Sequence, residues 1–280
     1  MKRQNSVTRW LGLGAPGLFL ALFGAPLAAH DFWIEPSAFR PRVGALVGLR
    51  LMVGEDLLGD PVPRDSSSLE RFVVSSQSGE RSIPGREGGS PAGILRVEGT
   101  GLMTIAYQSR PHALDLPPDT FEQYLGEEGL DAVKAIVRAK TNARVARERY
   151  SRCAKVLIAS GTPAPADRDG AVGMRVELVA ERNPYLAAPG QDFPFMLLYE
   201  GKPLKGALVI AQNGGDPSVK LRSRSDRQGR VIFRLPREGS WLIRAVHMIP
   251  AASHTGVDWE SFWASLMFEL PANHASASAR

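Results

Sequence analysis

A single cysteine, Cys153, serves all 280 residues. No internal disulfide can form, so stability has to come from the core and sheets. Other absences narrow the function. There is no His-x-x-His, Cys-x-x-Cys or His-Glu-x-x-His spacing, hence no local metal signature. There is no Gly-x-Ser-x-Gly elbow or Walker loop, and the one Gly-x-Gly-x-x-Gly, Gly12 to Gly17, lies in the apolar run near the N-terminus with no strand before it, so the usual serine hydrolase, phosphate-loop and dinucleotide readings have no support. The carboxylate pair Glu127-Glu128 lies in a helical pattern without an aromatic cleft. We therefore expect a protein that is not an enzyme. No solenoid repeat is visible, and beyond the first 29 residues no segment approaches membrane-spanning length.

What is present begins at the N-terminus. Lys2, Arg3 and Arg9 precede an apolar run over 10–23, and no acidic residue occurs before Asp31. A positive start, a short apolar stretch and a small-residue exit define a secretory signal, with cleavage expected after Ala29. Removal of 1–29 leaves 251 residues, and Lys plus Arg falls from 34 to 31 against 29 Asp plus Glu, a net of +2. The sequence pI of 9.5 is therefore partly a property of the leader and supports no nucleic-acid partner. Cleavage would make His30 the first residue, offering an α-amine and an imidazole from one position. Neutral nitrogen donors of that kind suit copper, nickel, zinc or cobalt.

Short apolar stretches punctuated by turn residues follow: 45–53, 71–76, 94–97 and 102–108 read as strands. At 111–112 the texture changes. Asp119 or Thr120 is expected to cap a helix starting near Phe121, and Tyr124, Leu125, Leu130, Val133, Ile136 and Val137 recur at helical spacing. The basic stretch through Arg138, Lys140, Arg144, Arg147, Arg149 and Arg152, opposed only by Glu148, reads as a solvated helix face. Strands resume at 150–158, and seven more are expected at 174–179, 193–199, 207–212, 219–223, 231–235, 241–247 and 263–270. Seven strands in about a hundred residues fit an immunoglobulin-like sandwich. Cys153 is expected buried. Trp33, Trp241, Trp259 and Trp263 are expected in packing rather than on a sugar-stacking surface.

Two resemblances add to this. Gly201-Lys202-Pro203-Leu204-Lys205-Gly206-Ala207, the later Ser225-Asp226-Arg227-Gln228-Gly229-Arg230 turn and Gly239-Ser240-Trp241 resemble transthyretin-like and carboxypeptidase-regulatory-like modules. The chain as a whole is similar to the DUF4198 family of exported bacterial proteins. The similarity is carried by Ala29-His30-Asp31-Phe32-Trp33-Ile34-Glu35-Pro36, Val53-Gly54-Glu55, Phe121-Glu122-Gln123-Tyr124-Leu125, Tyr150-Ser151-Arg152-Cys153-Ala154-Lys155, Glu181-Arg182-Asn183-Pro184-Tyr185 and 259–266. That resemblance implies a periplasmic, non-enzymatic accessory of nickel, cobalt or copper handling.

The expectations are then as follows. The fold is mostly β, with two immunoglobulin/transthyretin-like sandwich domains and a helical insertion between them. The boundaries are a signal at 1–29, an N-terminal β domain at 30–112, the insertion at 113–152, a C-terminal sandwich at 153–271 and a disordered tail at 272–280. Metal candidates are His30 with His247, then Asp31, His112 and His254. His247 shares a strand face with Trp241, Ile243 and Ala245, while Met248 points away. His274 lies in the tail and is set aside. A nickel, cobalt or copper ion is the expected cofactor and a membrane metal transporter the expected partner, with no nucleic acid. The alternative is a metal-free structural or protein-interaction module of the cell envelope.

Overall fold

The computed structural model describes residues 30–76, 78–139 and 144–272. The expected signal and cleavage point, Lys140, His274 and nearly all of the expected tail lie outside the described residues. In chain order the strands are β1 (Asp31–Pro36), β2 (Leu46–Glu55), β3 (Leu58–Val62), β4 (Leu69–Ser76), β5 (Gly79–Ser82), β6 (Gly93–Arg96), β7 (Gly101–Ser109) and β8 (His112–Leu116). Helices α1 (Pro118–Glu127) and α2 (Asp131–Arg138) follow. Then come β9 (Ala146–Ser160), β10 (Val176–Ala180), β11 (Asp192–Tyr199), β12 (Lys202–Pro203), β13 (Leu208–Asn213), β14 (Lys220–Arg224), β15 (Arg230–Arg234), β16 (Gly239–Pro250) and β17 (Trp259–Leu270). The protein is mostly β, as expected.

Both halves share one large sheet. Its order is β14-β13-β16-β17-β9-β7-β4-β5, and β8 also pairs with β9. The β17–β9 pair is parallel, and its register runs from Trp259 opposite Glu148 to Met267 opposite Val156. One small sheet (β1, β2, β3, β6) and another (β10, β11, β12, β15) complete the layers. They cover opposite faces of the large sheet. Along β9, Cys153, Leu157 and Ala159 pack with Phe193, Phe195 and Leu197 of β11, whereas Ala154, Val156 and Ile158 pack with Trp33, Ile34 and Leu49 of the other small sheet. A strand covered on both faces reads as a continuous apolar run instead of alternating, which is how 153–159 reads.

The helices lie on the same face as β1 and beside it. Phe121, Tyr124 and Leu125 of α1 pack on Val246, Met248, Trp259 and Trp263. The α1 start differs from expectation: Pro118 opens the helix after Pro117, and neither Asp119 nor Thr120 is the cap. A proline at the first helical position has its φ preset and loses no hydrogen bond, and Asp119 meets the positive helix end.

The boundary expected between residues 152 and 153 falls inside β9, because that strand joins both sandwiches. The basic stretch is also corrected. From Ala146 onward it is strand, Arg147 and Arg149 face Asp258 and Glu260 of the β17 side, and Arg152 is buried. All four tryptophans named above are buried, as is Cys153, whose thiol is pushed up to about 12 by burial.

A shared sheet makes the halves interdependent. Leu157→Ala and Ile158→Ala remove side chains from opposite cores. Each is expected to cost roughly 2–5 kcal/mol and to lower one common unfolding transition. Two transitions in calorimetry, each moved by only one variant, would refute the shared-sheet account.

Candidate functional site

Where β1 and α1 meet on the large sheet, charged residues are buried between two apolar cores. Arg244 projects from β16 on the face of Leu242 and Val246. Its Nη1 donates to both Glu128 oxygens, at 2.8 and 2.6 Å. Its Nε lies 2.9 Å from Asp31 Oδ1 without an aligned N–H, so that contact is an ion pair and not a hydrogen bond. A void of about 10 Å³ beside this pair is lined by Asp31, Arg244, Trp263 and Ser265. Burial pushes the Asp31 carboxyl up to about 6, against the pull of Arg244.

Arg152, on the same face, donates from Nη1 to the His30 carbonyl at 2.6 Å. Its guanidinium carbon sits 4.9 Å from the Trp263 ring, 5.2 Å from Tyr150 and 5.7 Å from Phe32. Aromatic faces of this kind suit a guanidinium withdrawn from water. Two basic and two acidic side chains thus balance in the seam. Deeper under α1, Tyr124 stacks on Trp263 and donates to Glu148 Oε1 at 3.3 Å, and Ser261 also donates to that oxygen. Burial raises the Glu148 carboxyl.

His30 immediately precedes β1, at the mouth of this seam. Its ring is about one-fifth exposed, and Nε2 lies 3.3 Å from Glu55 Oε1. Glu55 ends β2 at a tight hairpin whose central residues Asp56 and Leu57 have φ of 58° and 60°. The chain can turn there because Gly54 and Gly59 face each other: a Cβ on Gly54 would stand 2.1 Å from the Leu58 carbonyl oxygen. Asp56, tied to Lys220 and accepting from Gln212 Nε2 at 3.1 Å, pins that hairpin to the β13–β14 side of the large sheet.

The other candidates are spread out. His112 begins β8 instead of ending a strand, opposite Tyr150, with ring centroids 5.5 Å apart. Burial and the Arg152 charge lower its pKa, which favours the neutral imidazole. Arg152 therefore stands between His30 and His112. The structure does not bring His247 to His30. His247 lies on the opposite face of the large sheet, against Tyr199 at 4.5 Å, and β16 continues past it to Pro250. His254 sits in an exposed turn, Ser253–Thr255, after β16. The Asp31 side chain is held by Arg244. Among the described residues, no group of three or more His, Cys, Asp or Glu side chains converges as a metal cage. From the sequence, Glu128 reads as half of a helical carboxylate pair and Arg152 as part of a solvated basic face, and Glu55 and Arg244 are given no site role. The available signal was a charged residue inside an apolar strand, as in Leu242-Ile243-Arg244-Ala245-Val246.

These features describe a double sandwich sharing one sheet, with a charge-balanced seam under its first strand. Residues 27–249 match the family described as a domain of unknown function, DUF4198, and the chain belongs to that family. Against curated proteins the chain has no match. Among solved structures, the D0-D1 domain of Intimin aligns over 85% of this chain and 97% of its own, at 9% identity and a TM-score of 0.19. A superposition that poor leaves the fold to be read from the strand pairing itself. No helix of the described residues is long and apolar enough to cross a membrane.

Asp31 gives the seam a pH signature. Its folded-state pKa of about 6 exceeds the ordinary 3.8, so between those values the folded state binds the proton more tightly than the unfolded chain. Stability from this group is therefore lost as pH rises from 4 to 6, by an amount on the order of 2–3 kcal/mol. Urea unfolding of the wild type and Asp31→Asn across pH 4–7 should show the wild type losing ground to the variant as pH rises. A constant or rising difference would contradict the burial argument.

Proposed function

We propose that this chain is an exported, periplasmic metal-binding or metal-delivery accessory, not an enzyme. In this reading it takes nickel, cobalt or copper at a His30 terminus and passes the ion to a membrane transporter. One observation carries the reading: the contact of His30 Nε2 with Glu55. A carboxylate on one ring nitrogen orients a ligating histidine and raises its basicity. That contact leaves Nδ1 for the ion, and cleavage after Ala29 would place the α-amine of the same residue beside it. The two nitrogens form a chelate without help from a cage. His112, beyond the Arg152 guanidinium, and His247, on the opposite face of the large sheet, have no part in it.

The test is calorimetric titration of Cu(II), Ni(II) and Co(II) into secreted protein whose intact mass confirms a start at His30. One-to-one binding is expected, abolished by one extra residue before His30. Glu55→Gln should weaken it roughly 10- to 100-fold, and His112→Ala and His247→Ala should leave it unchanged. Affinity that survives both the extra residue and His30→Ala would sink the proposal. The metal-free envelope module would then stand in its place, with exposed Leu46 and Ile94 on the outer face of the first small sheet as its contact surface.

A further inference from the structure

Lys155 points from β9 into the core between the large sheet and the C-terminal small sheet, level with Cys153 and Leu157. Its side chain has no solvent exposure, and neither has that of Asp169; Glu177 has 1%. Lysine is almost never buried this completely unless paired. Here it meets two carboxylates. Nζ lies 3.0 Å from both oxygens of Asp169 and 3.0 Å from Glu177 Oε1. Both acids are held by further donors. Asp169 Oδ2 accepts from the Ala180 N–H at 2.9 Å, while its Oδ1 accepts from Gly170 N–H at 2.9 Å and Thr104 Oγ1 at 3.0 Å. Glu177 accepts from the backbone N–H groups of Val172, Gly173 and Met174, at 2.7, 3.0 and 3.2 Å.

We propose that the chain joins its own Lys155 and Asp169 side chains through an intramolecular amide bond, with Glu177 carrying the protons. The amine, the carboxyl carbon and a proton carrier are fixed within contact of one another, the arrangement that converts a bimolecular condensation into an intramolecular one. Glu177 Oε1 takes a proton from Lys155 Nζ and frees its lone pair. Nζ adds to the Asp169 carboxyl carbon. Negative charge on the tetrahedral oxygens is met by the Ala180, Gly170 and Thr104 donors, as in an oxyanion hole. Glu177 relays two protons from nitrogen to the departing oxygen, the C–O bond breaks, and water leaves. One C–N bond forms and one C–O bond is lost. No electron is transferred, and Glu177 ends as it began. Condensation removes one pair of opposite charges from a dry core and leaves Glu177 held by its three backbone N–H donors.

Mass spectrometry of the denatured full chain decides this. Expected is a protein lighter by one water than its sequence from the verified first residue. Trypsin should leave Lys155 uncut, with 153–168 joined to 169–175. Asp169→Asn should form the same link with loss of ammonia in place of water, and Glu177→Gln should show its unmodified sequence mass. A wild type at sequence mass, cut at Lys155 and releasing a free 169–175 peptide, overturns the proposal whether or not the variants fold. Water loss with Lys155 still cut overturns it too, because the Asp169-Gly170 pair can lose water alone as a cyclic imide. Glu177→Gln that still cross-links removes Glu177 from the chemistry.

Discussion

The constraint on which the rest depends is that β9 is covered on both faces. Of its fifteen residues, Ser151 through Ser160 are all buried. A charge on such a strand has no access to water, and each must find its counter-charge or aromatic partner within the protein. Arg152 and Lys155 are three residues apart, so alternation sends them to opposite faces. The first meets the His30 carbonyl and three aromatic rings; the second meets Asp169 and Glu177. The positions of the N-terminal strand and of the loop before β10 follow from satisfying these two side chains.

Apolar content does most of the stabilising around them, and the charges specify which pieces lie together. A hydrophobic face accepts many partners of similar volume, whereas a buried arginine accepts few. Arg244 links a strand of the C-terminal half to Asp31 and to Glu128 just past the end of α1. It ties the C-terminal half, the helices and the first strand at one point. By comparison Arg138–Glu122, which bridges the two helices on the surface, contributes little.

Much of the fold was legible in the sequence. Leu102 to Gln108, Phe193 to Tyr199 and Val231 to Phe233 announce strands because their apolar residues recur between turn residues. The short edges β3, β5 and β12 were not legible, since Leu58–Val62 and Gly79–Ser82 are mostly exposed and carry no pattern. The shared sheet was hidden for a different reason: the parallel β17–β9 pairing joins residues more than a hundred positions apart, and no local signal encodes it. The same distance hid the site. His30 was noticed for its place after a leader, yet the Glu55 beside it depends on a hairpin held by Lys220, far along the chain. His247 sat correctly on the face of Ile243 and Ala245, but which layer covers that face is a tertiary fact.

The two charged clusters are chemically unlike, and that difference bears on what each can do. The seam on the β1 face opens to solvent at His30, holds balanced charges and includes a carboxyl near pH 6. It is the cluster that reaches water. The Lys155 cluster is closed, with one base between two acids and every acid oxygen already accepting a hydrogen bond. Its three side chains are shielded from bulk solvent and face one another first. A single strand therefore separates a charged cluster in reach of water from one closed off from it. The β9 backbone keeps them apart, because Arg152 and Lys155 project to opposite faces of the sheet, Ala154 on the one side and Cys153 on the other.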